Sequence, residues 1–94
     1  MYSFGVVMNQ SIIFIDDIEW AEQEQAVTLK AQLQGMLIPC KITLSKLNEI
    51  YQLSITTEKE ALELAEHKRF DLENIFEELI EKEAMDEQGV VLFS

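Results

Sequence analysis

The feature that most constrains this chain is an uninterrupted two-residue alternation on either side of one glycine. Val27, Leu29, Ala31 and Leu33 are apolar, and Thr28, Lys30, Gln32 and Gln34 between them are polar. After Gly35 the pattern resumes: Ile38, Cys40, Ile42 and Leu44 alternate with Pro39, Lys41 and Thr43. Successive strand side chains point to opposite faces, so a period of two describes a strand with one dry and one wet face. Gly35 tolerates the positive φ that a tight turn demands. Residues 26–44 therefore read as a β-hairpin. Pro39 has no N–H to donate and belongs at an edge, a bulge or an outward position.

The rest of the chain is read around that hairpin. Ser11 to Ile15 is rich in β-branched and aromatic residues and predicts a first strand. Asp16 and Asp17 are expected to end it, and Glu19 to Gln25 to form a loop. Ser45 can cap a short helix from Lys46 to Tyr51. Thr57-Glu58-Lys59-Glu60 has the form of a capping box. From there Ala61, Leu64, Ala65, Leu72, Ile75, Phe76, Leu79 and Ile80 recur at helical spacing to about Ala84. Gly89 closes that segment, and Val90 to Phe93 reads as a last strand. The order β-β-β-α-α-β favours an α+β fold: an antiparallel sheet with helices packed on one face.

The helical segment poses a problem of length. Unbroken from Glu58 to Met85, it would span roughly 42 Å at 1.5 Å per residue. A domain of this size has a radius of gyration of only about 13 Å. Phe70 bears on the outcome, because it lies opposite the apolar stripe among Glu63, Glu66, Glu73, Glu77 and Glu81. Either the helix is interrupted near His67 to Asp71 and Phe70 turns inward, or Phe70 stands exposed on an acidic face. An exposed Phe70 would be free to touch a partner or a second copy of the chain.

Composition bounds function. The chain has 94 residues, 48% of them hydrophobic, enough for one packed domain. Its net charge is −11, from 18 acidic and 7 basic residues. That field repels phosphate, which disfavours nucleic acid and anionic membranes as partners and favours a basic protein, or none. A single cysteine forbids an intramolecular disulfide and fits the cytoplasm. The first residues lack a signal peptide's basic start and long apolar core. The patterned chain begins after Met8, so residues 1–8 are expected to be peripheral and residues 9–94 to form one domain.

No catalytic constellation emerges. His67 sits in a charged stretch, away from any patterned partner. Cys40 lies on the dry side of its strand, where a small buried hydrophobe is the usual reading. One cysteine and one histidine do not fill a tetrahedral metal site. Asp16, Asp17 and Glu19 lack the ligand ladder and central glycine of a calcium loop. Neither a metal nor a cofactor is expected. The residues with a plausible claim on a protein partner are Trp20, in an acidic loop, together with Arg69, Phe70, Glu73 and Glu77 on the helix.

Several segments in order resemble one family. They are Phe14-Ile15-Asp16-Asp17-Ile18-Glu19-Trp20, the hairpin from Ala26 to Ile42, the Arg69, Leu72 and Glu73 element, Leu79-Ile80-Glu81, and Gly89-Val90-Val91-Leu92. Together, over residues 9–94, they resemble the bacterial family of unknown function numbered 1488, DUF1488. The resemblance implies an α+β domain with an antiparallel sheet and a start near Met8; it implies no activity. The expected function is that of a small cytoplasmic interaction or regulatory module. Two alternatives stand beside it: an acidic inhibitor whose carboxylates imitate nucleic-acid phosphates, and an enzyme using Cys40 or His67.

Overall fold

A computed structural model describes residues 11–94; the expectation for residues 1–8 lies outside the described residues. The chain runs β1 (Ile12–Ala21), β2 (Ala26–Leu33), β3 (Met36–Thr43), α1 (Leu44–Tyr51), α2 (Glu58–His67), α3 (Arg69–Glu81) and β4 (Val91–Phe93). The four strands form one sheet in the order β1-β2-β3-β4. The architecture is α+β, as the sequence pattern implies.

The hairpin is built as its alternation dictates. Residues Leu33 and Met36 pair across a two-residue turn. Gln34 and Gly35 both take positive φ there, 54° and 81°, the backbone twist that matches two right-twisted strands. Val27, Leu29, Ala31, Ile38, Cys40 and Ile42 are all buried. They meet Leu47 of α1, Ala61 and Ala65 of α2, and Leu72, Phe76 and Ile80 of α3 in one core.

Three expectations are refined by the structure. First, Asp16 and Asp17 do not end β1. Ile15 pairs with Lys30 and Glu19 with Thr28, so three residues of β1 bulge opposite Leu29 alone. The two extra residues preserve the alternation, and Phe14, Ile18 and Trp20 all pack against the core. Second, α1 is capped by Thr43 rather than Ser45: its hydroxyl accepts the Lys46 N–H at 3.1 Å. The hairpin's last residue thus starts the helix directly. Third, β4 pairs with β3 in parallel, unlike the other strands. The route explains it. β3 begins at the hairpin tip, and the C-terminal end of α3 lies beside Leu33 and Ile12 at that same end. The chain therefore enters β4 pointing the same way as β3.

The long helical segment is broken, giving three helices rather than two. Thr57 caps α2, its hydroxyl accepting the Glu60 N–H at 3.2 Å and donating to the Glu60 carboxylate at 3.0 Å. Lys68 interrupts the helix at φ −103° and ψ 21°. The break shortens a rod that would otherwise be roughly 36 Å from Glu58 to Glu81. Small Ala61 and Ala65 seat α2, while larger Leu72, Phe76 and Ile80 seat α3.

Candidate functional site: an acidic ridge and the groove at its end

The helix break and the exposure of Phe70 both occur, although the sequence set them against each other. The break falls before Phe70, so Phe70 and Leu72 belong to the same helix. Two residues apart they diverge by about 200°. Leu72 is fully buried, and Phe70 is consequently 81% exposed. Glu77 and Glu81 follow Phe70 along the same side of α3 at helical spacing. The result is a ridge with one aromatic ring at its start and carboxylates along it.

Arg69, beside Phe70, has a different role. Its Nε donates to Glu73 at 2.9 Å, and a terminal nitrogen donates to the backbone carbonyl of Asp16 at 3.2 Å. Asp16 stands at φ 66° in the β1 bulge. The arginine therefore clamps the bulged edge strand to the start of α3, and Glu73 holds the guanidinium in place. On the other side of the bulge, Lys30 donates to Glu19 at 3.1 Å and lies 4.0 Å from the Asp16 carboxylate. Replacing Arg69 with methionine keeps the aliphatic stem and removes both hydrogen bonds. Urea unfolding should record a loss of about 1–2 kcal/mol, from a charge-assisted bond discounted for partial exposure. An unchanged midpoint would show that the clamp does not hold the bulge.

Trp20 is not exposed as Phe70 is. It lies half-buried on the core side of β1, and its indole N–H donates to Glu22 at 2.8 Å. Glu77 is half-buried on α3. Of the five residues singled out from sequence, Phe70 alone is free and prominent, and Arg69 and Glu73 are paired to each other.

The ridge leads to a groove that no sequence motif announced. Its volume is about 690 Å³. Ile12, Leu33, Ile80 and Met85 make an apolar floor, and Glu81, Glu83, Asp86 and Glu87 stand around it. Glu81 thus belongs to both ridge and groove. The 86–90 loop is internally fixed: one Asp86 carboxylate oxygen accepts the Gln88 and Val90 N–H groups at 2.8 and 2.9 Å. Gly89 closes the loop at φ 79°.

Cys40 and His67, the two residues the sequence offered for catalysis, differ in exposure. Cys40 is fully buried in β3, and burial pushes its thiol up from the ordinary 9.0 to about 12. His67 is exposed at the end of α2. Among the described residues, no group of three or more His, Cys, Asp or Glu side chains is arranged to hold a metal ion. Nor is any helix there long and apolar enough to cross a membrane.

The model of a family described as "Protein of unknown function (DUF1488)" matches residues 12–93. The chain belongs to the DUF1488 family. It is 36% identical over 84 residues to the uncharacterized protein YrdB of Escherichia coli (strain K12), covering 89% of this chain and 96% of that one. Identity to the YrdB of Shigella flexneri is 34% over the same span and coverage. The fold matches the crystal structure of a DUF1488 protein of unknown function from Shewanella loihica PV-4, at a TM-score of 0.82 and 43% identity. That match covers 92% of this chain and 94% of the other. The Arg69, Leu72 and Glu73 element that carried the DUF1488 resemblance now has a physical account: clamp, core residue and clamp support.

Proposed function

We propose that this DUF1488 protein is a non-catalytic cytoplasmic module that binds a basic protein through the α3 ridge, with Phe70 as its apolar anchor. The observation that carries the reading is the 81% exposure of Phe70 on a surface that continues into Glu77 and Glu81. A large ring left in water gives up the roughly 1.5–3 kcal/mol that burial would return. Aromatic residues recur at the centres of binding interfaces, and the surrounding carboxylates would steer a cationic partner. The burial of Cys40 in the core, while His67 stands exposed, supports a role without catalysis.

Acidic mimicry of nucleic acid draws on the same charges. It is less favoured, because Arg69 neutralises Glu73 and interrupts the regular series of carboxylates along α3.

Affinity capture from a bacterial lysate, comparing the native chain with Phe70→Ser at low and high salt, tests the reading. A basic protein should be enriched by the native chain and depleted about thirtyfold by Phe70→Ser, the effect of losing a central aromatic anchor. Its recovery should also fall with salt. Identical capture by both proteins would end the proposal.

A further inference from the structure

We propose that the groove between the hairpin tip and the C-terminal end of α3 receives a short basic segment of a partner protein, in which one bulky apolar side chain is flanked by Lys or Arg. The inference rests on the interaction-module reading and names the partner chemistry that its second contact would recognise.

Two independent properties of the groove specify this occupant. The floor is apolar, and Met85 gives it an unbranched, adaptable side chain suited to a guest of variable shape. A volume of about 690 Å³ lies within the range of roughly 300–1,000 Å³ typical of ligand sites, ample for one large side chain. The rim supplies the second property. Glu81, Glu83, Asp86 and Glu87 surround the floor, and the lining contains no Lys or Arg; Lys82, on the same turn, does not line it.

Among the described residues, the ion pairs fall on Asp16, Glu19, Glu24, Glu49 and Glu73, none of which lines the groove. The four acidic side chains at the groove are thus in no ion pair among the described residues, and they stand around an apolar floor. A neutral apolar guest would leave that rim unmatched, an acidic one would be repelled, and a basic segment with one apolar anchor satisfies both parts. The loop is already fixed by the Asp86 hydrogen bonds, so little ordering is left to oppose binding. Phe70 and the groove lie roughly 16 Å apart along α3, close enough for one partner to touch both.

The test titrates isotope-labelled full-length protein with a synthetic peptide carrying one leucine between lysines and arginines, followed by amide chemical shifts. Two comparison peptides replace the leucine with serine, or the basic residues with glutamate. Shifts should concentrate at Ile12, Leu33 and residues 81–89. The serine peptide should bind about tenfold more weakly, and the glutamate peptide not at all. Glu83→Gln with Glu87→Gln should weaken binding about tenfold, while Glu58→Gln with Glu63→Gln, the same charge change on α2, should alter it less than about twofold. All these positions are exposed, and the amide spectrum reports whether each variant stays folded.

Equal weakening by both pairs, or equal binding of the serine peptide, would reduce the effect to general charge attraction and overturn the proposal. So would contacts in the free protein from Phe4 or Val6 to Met85, which would give the groove to the chain's own first residues. A doubled mass in solution abolished by Met85→Lys would give it to a second copy and have the same force. Capture lost with Phe70→Ser but indifferent to the groove pair would leave the module reading standing and this one refuted.

Discussion

Replacing Phe76 with alanine is expected to lower the stability of this domain by about 3–5 kcal/mol, whereas replacing Phe70 with serine should change it by less than about 0.5 kcal/mol. Both residues are phenylalanines on α3, and burial alone separates them. Phe76 has no exposed surface and sits at the centre of the core, between α3 and the sheet. Truncation there removes the transfer free energy of the ring and leaves a cavity that Leu72, Leu47 and the strands cannot fully close. For a domain holding roughly 5–15 kcal/mol in total, that is a large fraction, equivalent to a fall in melting temperature on the order of 20 °C. The single tryptophan, Trp20, packs half-buried against the same core and reports unfolding by fluorescence in urea. A loss below about 1 kcal/mol for Phe76→Ala would show that the helices and sheet do not share this core. The contrast also protects the functional test, since binding lost in Phe70→Ser with an unchanged unfolding curve is an interface effect.

The parts of the fold legible in the sequence are those fixed by local periodicity or local hydrogen bonding. The hairpin followed from alternation about Gly35, and the start of α2 from Thr57 and Glu60. The burial of Cys40 followed from its place on the dry side of β3. What escaped depended on residues meeting from far along the chain. The Asp16 and Asp17 pair read as a strand end because polar residues in succession break the alternation. A bulge with two extra residues breaks it too, yet restores the same phase. Ile18 and Trp20, alternating with Asp17 and Glu19, carried that signal. The parallel entry of β4 depends on the route of three helices, which no local pattern encodes. The same holds for the site. Phe70's exposure was one of two outcomes contained in its helical phase, and the position of the break decided between them. The true role of Arg69 required the Asp16 carbonyl, and the groove joins Ile12, Leu33, Ile80 and Met85 from three separate stretches of sequence.

The core that hides Cys40 should also make stability fall at alkaline pH. Burial raises the thiol from 9.0 to about 12 in the folded state, because a thiolate would lose its hydration among Val27, Leu29 and Val91; a hydrogen bond from the backbone opposes this only weakly. The unfolded chain releases the proton near 9, while the folded chain retains it. Between those values the folded state binds more protons, so the contribution is complete below about pH 9 and is lost as pH rises towards 12. The slope approaches roughly 1.4 kcal/mol per pH unit, several kcal/mol over the whole window. Tyr51 acts in the same direction: partial burial raises its hydroxyl, and its 2.5 Å hydrogen bond to Asp71 raises it further. The informative quantity is the difference between the native protein and a variant without the thiol. Urea unfolding at pH 8 to 11 should show a shallower decline in Cys40→Ala than in the native protein, even though the variant is less stable at pH 8. Parallel declines would mean that the thiol is hydrated in the folded state, and would reopen the question of its reactivity. Slow alkylation of Cys40 at pH 8, accelerated in urea to the rate of a free thiol, is the matching chemical result.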